Sequence, residues 1–437
     1  MTEPEAIAHD AAADKAPDRH AGSGRKPVIR LGPGLITGVA DDDPSGIATY
    51  SQAGAQFGLN MLWTMPLCYP FMAAIQLVCA RIGRVTGRGI AANMKAVFPV
   101  PVVAVVVGLL LVANTLNIAA DVAAMGEVAE LVTGAPRHVM TVVFVIVMAG
   151  LQIAIPYHRY VSILKWLTLS LLAYAAVLFA VHVPWGEVLA RTFLPRLTFD
   201  AQAAAMIVAI FGTTISPYLF FWQASEEVED MQHLAGARPL LDDPAAAPAE
   251  LRRISWDTWS GMFYSNVTAW FIILACGVTL HASGVTDIQT AAEAADALRP
   301  LAGDMAFLLF ALGILGVGLI GVPTLAGSAA YGLAEAMGWQ WGLERSANDA
   351  RGFYGVIFIS MALGIVIQFS PINPMKALFW SAVINGVVAV PLMAAILVMA
   401  ARRSVMGQFT AGRGALALGW MATAIMAAAS LWMFWAD

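Results

Sequence analysis

The sequence predicts an all-α membrane protein with eleven transmembrane helices, arranged as a five-plus-five inverted repeat with one extra helix. Three observations predict it. Of 437 residues, 59% are apolar and only 12% charged, with a mean hydropathy of +0.72, whereas soluble domains carry about 25% charged residues. Apolar stretches long enough to cross about 30 Å of hydrocarbon recur at 33–58, 60–80, 99–131, 139–156, 162–182, 201–224, 257–281, 304–332, 353–370, 375–400 and 414–435. The first and the sixth of these are interrupted, and paired interruptions in corresponding places of two halves mark an inverted repeat with its binding site near the midplane.

Taken in order, residues 1–29 are polar and lack the apolar core of a signal peptide, so they are expected to form a disordered cytoplasmic tail. The first repeat is assigned to 30–182 (helices 1–5), the second to 183–400 (helices 6–10) and the last helix to 401–437. The 24 Lys and Arg divide 19 against 5 in favour of an inside amino terminus, which the positive-inside rule reads as a multi-pass protein of the cell inner (plasma) membrane with its carboxy terminus outside. The long connection 225–256 carries Glu226, Glu227, Glu229 and Asp230 and is expected to be a mobile cytoplasmic loop with a solvated acidic face.

Cys68, Cys79 and Cys276 lie in apolar runs without metal-type spacing and read as buried thiols, against a disulfide framework. His158, His182, His233 and His281 lie near span ends or loops, and none sits in a broken helix, so an imidazole metal site or proton switch has little support. No acid–base pair, nucleophile motif or phosphate loop marks an enzyme, nothing points to nucleic acid, and no sequence mark sets the oligomeric state.

The first break places Asp41, Asp42 and Asp43 before Pro44, Ser45 and Gly46. One Asp at a helix centre costs about 2.5–3.5 kcal/mol, so three cost roughly 8–10 kcal/mol unless compensated, and a cation is the expected compensation. The sixth-span break reads Gly212-Thr213-Thr214-Ile215-Ser216-Pro217-Tyr218. Both follow one grammar, a capping residue (Asp43, Ser216) and then proline at the first position of a new half-helix (Pro44, Pro217). A proline kink is the plain alternative for either break alone; two in register, with acids at one, favour a site.

Unwound helix ends release carbonyls. Those of Ala40, Asp41, Gly212 and Thr213 offer neutral oxygens and Asp43 adds charge, an oxygen-only cage suited to Mg²⁺ or Ca²⁺ and open to Mn²⁺. Successive helical residues turn by about 100°, so the three Asp side chains cannot share one site. Asp43 is the first choice and Asp42 stands beside it as a candidate ligand. Asp41 and Asp42 have the alternative of facing a water-filled vestibule or taking protons. In the third span Asn114, Asn117 and Asp121 share a helix face, with Glu127 beyond them. Asp121 reads either as a proton relay or site stabiliser or as a packing residue, and Asn385 either as ligand or as helix-interface glue. Thr214, Tyr218, Asp121, Glu127 and Asn385 are grouped as residues around the site or on a proton path.

Asp43-Pro44-Ser45-Gly46, followed by Ala48-Thr49-Tyr50-Ser51-Gln52-Ala53-Gly54-Ala55-Gln56-Phe57-Gly58 and preceded by Gly32-Pro33-Gly34, resembles the first span of the natural resistance-associated macrophage protein (NRAMP) family of divalent-metal transporters. That family carries Asp-Pro-Gly-Asn and then Ala-Thr-x-x-Gln-Ala-Gly-x-Gln-Phe-Gly. The resemblance implies a LeuT-type fold with helices 1 and 6 broken at the midplane. It extends Asp43 and the backbone carbonyl at Thr213 as ligands, and it matches Asp121 to an acid of the family's third-span pathway.

The departures are specific. Ser216 stands where the family has a Met whose thioether binds transition metals, Tyr218 where it has a His implicated in proton coupling, and Gly46 where it has a ligating Asn. Losing the soft sulfur removes a preference for transition metals over Mg²⁺. The smaller Gly46 and Ser216 leave room for an ion that keeps its waters. The chain therefore looks like the NRAMP-related magnesium transporter branch.

The expected function is a secondary transporter taking up a hard divalent cation, Mg²⁺ with Mn²⁺ tolerated, by alternating access, with no cofactor beyond the transported ion. The alternatives are a proton-coupled Mn²⁺/Fe²⁺ importer, a non-transporting metal-binding membrane sensor or scaffold, and an organic-cation or amino-acid carrier.

Overall fold

The computed structural model describes residues 32–154, 166–196, 200–234, 236–343, 345–369 and 373–435. The expected amino-terminal tail lies outside them, as does 155–165, which takes in the start of the expected fifth span. Every described regular element is a helix. Those that build the bundle are α1 (Pro33–Asp41), α2 (Pro44–Phe57), α3 (Thr64–Thr86), α4 (Val100–Thr133), α5 (Arg137–Ala154), α6 (Ala201–Thr214), α7 (Pro217–His233), α8 (Ala247–Thr279), α9 (Ala306–Met337), α10 (Arg351–Gln368), α11 (Pro374–Ala401) and α12 (Arg413–Trp435).

Among the described residues eight helical segments are long and apolar enough to cross a membrane, fewer than the eleven spans expected. The difference has three sources. The first span is divided into the short α1 and α2, α10 is described in full only as far as Val366, and the described part of the fifth span is a 3-10 turn, Leu167–Leu171, followed by the short helix Leu172–Val177.

The two breaks have matching backbones. α1 ends at Asp42 (φ −83°, ψ 57°) and α2 starts after an extended Asp43 (φ −71°, ψ 172°). α6 ends at Ile215 (φ −112°, ψ 59°) and α7 starts after Ser216 (φ −74°, ψ 130°). In each case the proline that follows has no N–H to lose and a φ already set for a helix.

Burial ranks the helices. Of the most apolar window in Ala201–Gln232, which runs through α6 and α7, 94% is buried, against 22% for α5 and 33% for α12, so the sixth span is central and those two are peripheral. Glycines let central backbones touch. A Cβ on Gly38 would sit 2.3 Å from the Gly261 carbonyl oxygen, and one on Gly212 would sit 2.0 Å from that of Ala382. This fixes α1 on α8 and α6 on α11. Asp257 of α8 also caps α1, accepting the N–H of Gly34 at 2.7 Å and of Leu35 at 3.3 Å.

The acidic stretch corrects the expectation of a mobile, solvated loop. Residues 225–233 belong to α7 and 247–256 to α8, and Glu226, Glu227 and Glu229 are buried. Glu227 pairs with Arg253 at 2.6 Å, Glu250 with both Arg253 (3.3 Å) and Arg84 (3.0 Å), and Glu229 accepts from Tyr331 at 2.6 Å and from the Leu343 N–H at 2.9 Å. The connection is tied down as well: Leu240 and Leu241 donate to the carbonyls of Arg84 and Val85 at 3.2 Å each. Of the acids read as solvated, Glu227 is neutralised by Arg253 of α8 and Glu229 is hydrogen-bonded by Tyr331 of α9. The three cysteines are buried and free, as expected.

Removing one partner of a buried ion pair leaves an uncompensated charge, a loss of about 3–5 kcal/mol. Arg253→Ala is therefore expected to lower the melting temperature of the detergent-solubilised protein, and adding Glu227→Gln to recover part of the loss. A single variant melting like the parent protein would count against the pair's structural role.

Candidate metal site

The two breaks meet. A Cβ on Gly46 would lie 3.2 Å from the Thr213 hydroxyl oxygen, the Tyr218 hydroxyl donates to the Ala40 carbonyl at 2.8 Å, and the hydroxyls of Tyr50 and Thr214 are 2.9 Å apart. The Thr214 hydroxyl donates to Ile210 O at 2.6 Å, so Tyr50 is the donor in that pair. These contacts join α1 and α2 to α6 and α7 across the break.

Asp43 sits at this junction, 2% exposed. Its Oδ1 accepts from the Ser45 hydroxyl at 2.7 Å and from the Gly46 N–H at 2.8 Å, the latter being the N-cap of α2. Its Oδ2 accepts from Asn117 of α4 at 2.9 Å, and Asn117 Oδ1 accepts in turn from Ser381 of α11 at 2.7 Å. Opposite Gly46, the buried Thr213 hydroxyl has no hydrogen-bond partner.

The Ser216 hydroxyl does not cap α7; it turns back to the carbonyls of Gly212 (3.0 Å) and Thr213 (2.7 Å). Of the carbonyls expected to stand open, Ala40 accepts from Tyr218, and Gly212 and Thr213 share the single hydroxyl hydrogen of Ser216.

Asp41 and Asp42 do not face a water-filled vestibule: they are 0% and 1% exposed. Both turn to α8, where Ser265 Oγ lies 2.5 Å from Asp41 Oδ2 and 3.0 Å from Asp42 Oδ1. The Asp42 carboxylate is therefore drawn away from the donors that hold Asp43. Asp121 is buried one helical turn beyond Asn117, with no hydrogen-bond partner for either oxygen. Glu127 is ten residues beyond Asn117, about 15 Å along the helix, and accepts the Ala291 N–H at 2.9 Å; it is not brought to Asp43. Asn385 is buried, without a hydrogen-bond partner, next to the Gly386 that packs on Gly212.

Sequence reasoning missed Ser265 and Ser381, isolated hydroxyls with no local signal. It also missed Gln52, Gln56 and Gln202, which line a cavity of about 830 Å³ beside α2 and α6 together with Asp287, Lys376 and Trp380. Gln56 donates to Gln202 at 3.0 Å and Gln52 to Gln56 at 3.3 Å, while the Ile288 N–H donates to Gln52 at 2.9 Å. Among the described residues no three His, Cys, Asp or Glu side chains converge on a metal position. A cation here would rest on Asp43 plus hydroxyl and backbone oxygens.

Two broken helices meeting at a buried carboxylate, inside an all-helical bundle, define a LeuT-type fold. A manganese transporter of Eremococcus coleocola superposes with a TM-score of 0.72 at 16% identity, over 92% of this chain and 85% of that one. MhsT in complex with L-phenylalanine superposes at 0.61 and 14%, over 94% and 98%.

Residues 34–436 match the profile of the natural resistance-associated macrophage protein-like (Nramp) family, and the chain belongs to that family. It is 27% identical over 429 residues to the divalent metal cation transporter MntH of Acidiphilium cryptum, spanning 94% of this chain and 91% of that protein. To the MntH of Verminephrobacter eiseniae it is 29% identical over 402 residues, spanning 86% and 82%.

Ser265 is the donor shared by two buried carboxylates, and a buried acceptor left without a donor costs about 1–3 kcal/mol. Ser265→Ala is expected to lower the melting temperature of the solubilised protein; an unchanged melting curve would show that Asp41 and Asp42 do not depend on it.

Proposed function

We propose that the protein is a divalent-cation transporter of the plasma membrane, with its amino terminus cytoplasmic, that works by alternating access around Asp43 and takes Mg²⁺, tolerating Mn²⁺. The observation that carries this reading is the all-oxygen set where the breaks meet: the Asp43 carboxylate, the unpartnered Thr213 hydroxyl opposite Gly46, and Ser216, a hydroxyl in place of a thioether. Hard oxygen donors without sulfur do not favour transition metals over Mg²⁺. The relatives named as divalent metal cation transporters, aligned over nearly the whole chain, support the cation class.

A second reading, proton-coupled Mn²⁺ import, draws on the manganese transporter among the structural neighbours and on Asp121, a buried carboxylate with no hydrogen-bond partner. Uptake of Mg²⁺ and Mn²⁺ into proteoliposomes, read beside an internal pH indicator, separates the two readings. Mg²⁺ flux without proton movement supports the first; Mn²⁺ flux with acidification and no Mg²⁺ flux supports the second.

In the same assay Asp43→Asn, which removes the charge but keeps the size, is expected to abolish divalent flux. Undiminished flux would remove Asp43 from the site. Ser216→Met is expected to raise the potency of Mn²⁺ and Cd²⁺ as competitors relative to Mg²⁺, by about tenfold if the thioether contributes about 1.4 kcal/mol. Equal relative potencies before and after the substitution would show that this position does not select the ion.

A further inference from the structure

We propose that Asn117 and Ser45 are positioning residues that restrict Asp43 to one-oxygen coordination and thereby make the site discriminate against Ca²⁺; this rests on the divalent-cation reading above. A carboxylate offers about four lone-pair positions, two on each oxygen. On Asp43, Oδ1 accepts from both Ser45 Oγ and Gly46 N, at 2.7 and 2.8 Å, and Oδ2 accepts from Asn117 Nδ2 at 2.9 Å. Three positions are taken, and the one that remains is on Oδ2. A cation can be met through that oxygen and not chelated by both.

The clamp is braced from two sides. A carboxylate only accepts, so Asn117 presents its NH₂ to Asp43 and leaves its Oδ1 to Ser381 Oγ at 2.7 Å, a hydroxyl whose one hydrogen is shared with the Leu378 carbonyl, also at 2.7 Å. α9 lies against the other side at Gly321, where an added Cβ would lie 3.0 Å from Asp43 Cβ. Asn117, Ser45 and Ser381 are all buried, and no water competes for these bonds.

Denticity separates the hard divalent ions. Mg²⁺ requires near-octahedral geometry at about 2.0–2.1 Å and keeps several waters, so one carboxylate oxygen suits it, as it suits an octahedral Mn²⁺. Ca²⁺ gathers six to eight oxygens at about 2.3–2.6 Å and readily takes a carboxylate through both. Held to one oxygen, Asp43 supplies Ca²⁺ with fewer protein ligands than its six to eight positions call for. The clamp thus rejects Ca²⁺ through ligand count, a route independent of donor softness.

The test is competition between Ca²⁺ and Mg²⁺ for flux in proteoliposomes, comparing the unmodified protein with Ser45→Ala/Asn117→Leu. Releasing both oxygens is expected to raise the potency of Ca²⁺ relative to Mg²⁺ by about tenfold, equivalent to about 1.4 kcal/mol. A purely structural role for the two residues would weaken both ions together, so an unchanged ratio overturns the proposal. If the double variant is not recovered as a monodisperse protein, Ser381→Ala, which leaves Asn117 in place but unbraced, is expected to shift the ratio the same way by about two- to threefold, and no shift there overturns it equally. Unmodified protein that carries no divalent cation would remove the functional reading and this inference together. Divalent flux that is lost in Asp43→Asn while the clamp variants keep their selectivity would remove the inference alone.

Discussion

A carboxylate buried where two helices break must find donors both on its own half-helix and on its neighbours, and much of the architecture answers that demand. Moving a charged group from water into a low-dielectric interior costs several kcal/mol even after relaxation. Asp43 meets this with the N-cap bond of its own half-helix, the hydroxyl two residues on, and an amide from α4 that is itself held by α11. Three helices, α2, α4 and α11, are thereby committed to one point.

The same demand appears at Asp41 and Asp42, but it is solved differently. They take a single hydroxyl from α8, and so the run of three acids is divided between two faces: Asp43 toward α4 and the second break, its two predecessors toward α8. Backbone-to-backbone contacts at Gly38 and Gly212 bring the helices close enough for hydroxyls and amides to reach. At the end of the bundle that holds the α1 amino terminus, charged side chains do what short polar ones do at the centre, with Arg84 and Arg253 neutralising acids on α7 and α8.

What could be read in the sequence was what is written locally. Capping residue plus proline located both breaks, and hydropathy set most helix ends within a few residues, as for α4 (99–131 expected, Val100–Thr133 found) and α11 (375–400 expected, Pro374–Ala401 found). The polar face of Asn114, Asn117 and Asp121 followed from helical spacing, but not which of the three would reach Asp43. Ser265 lies 223 positions from Asp42, and Ser381 lies 264 from Asn117; a hydrogen bond across such a separation leaves no periodic trace. Glu227 was misread for the same reason, because its neutralising arginine sits on the next helix and the acids alone look like a solvated run.

The glycine contact between α1 and α8 has a kinematic consequence. Sliding of packed helices uses a layer of side chains whose rotamers absorb the displacement. Between Gly38 and Gly261 that layer is missing, and the adjoining Asp257 cap pins the α1 amino end to the same partner. A shift of α1 along α8 would therefore have to part main chain from main chain rather than turn side chains.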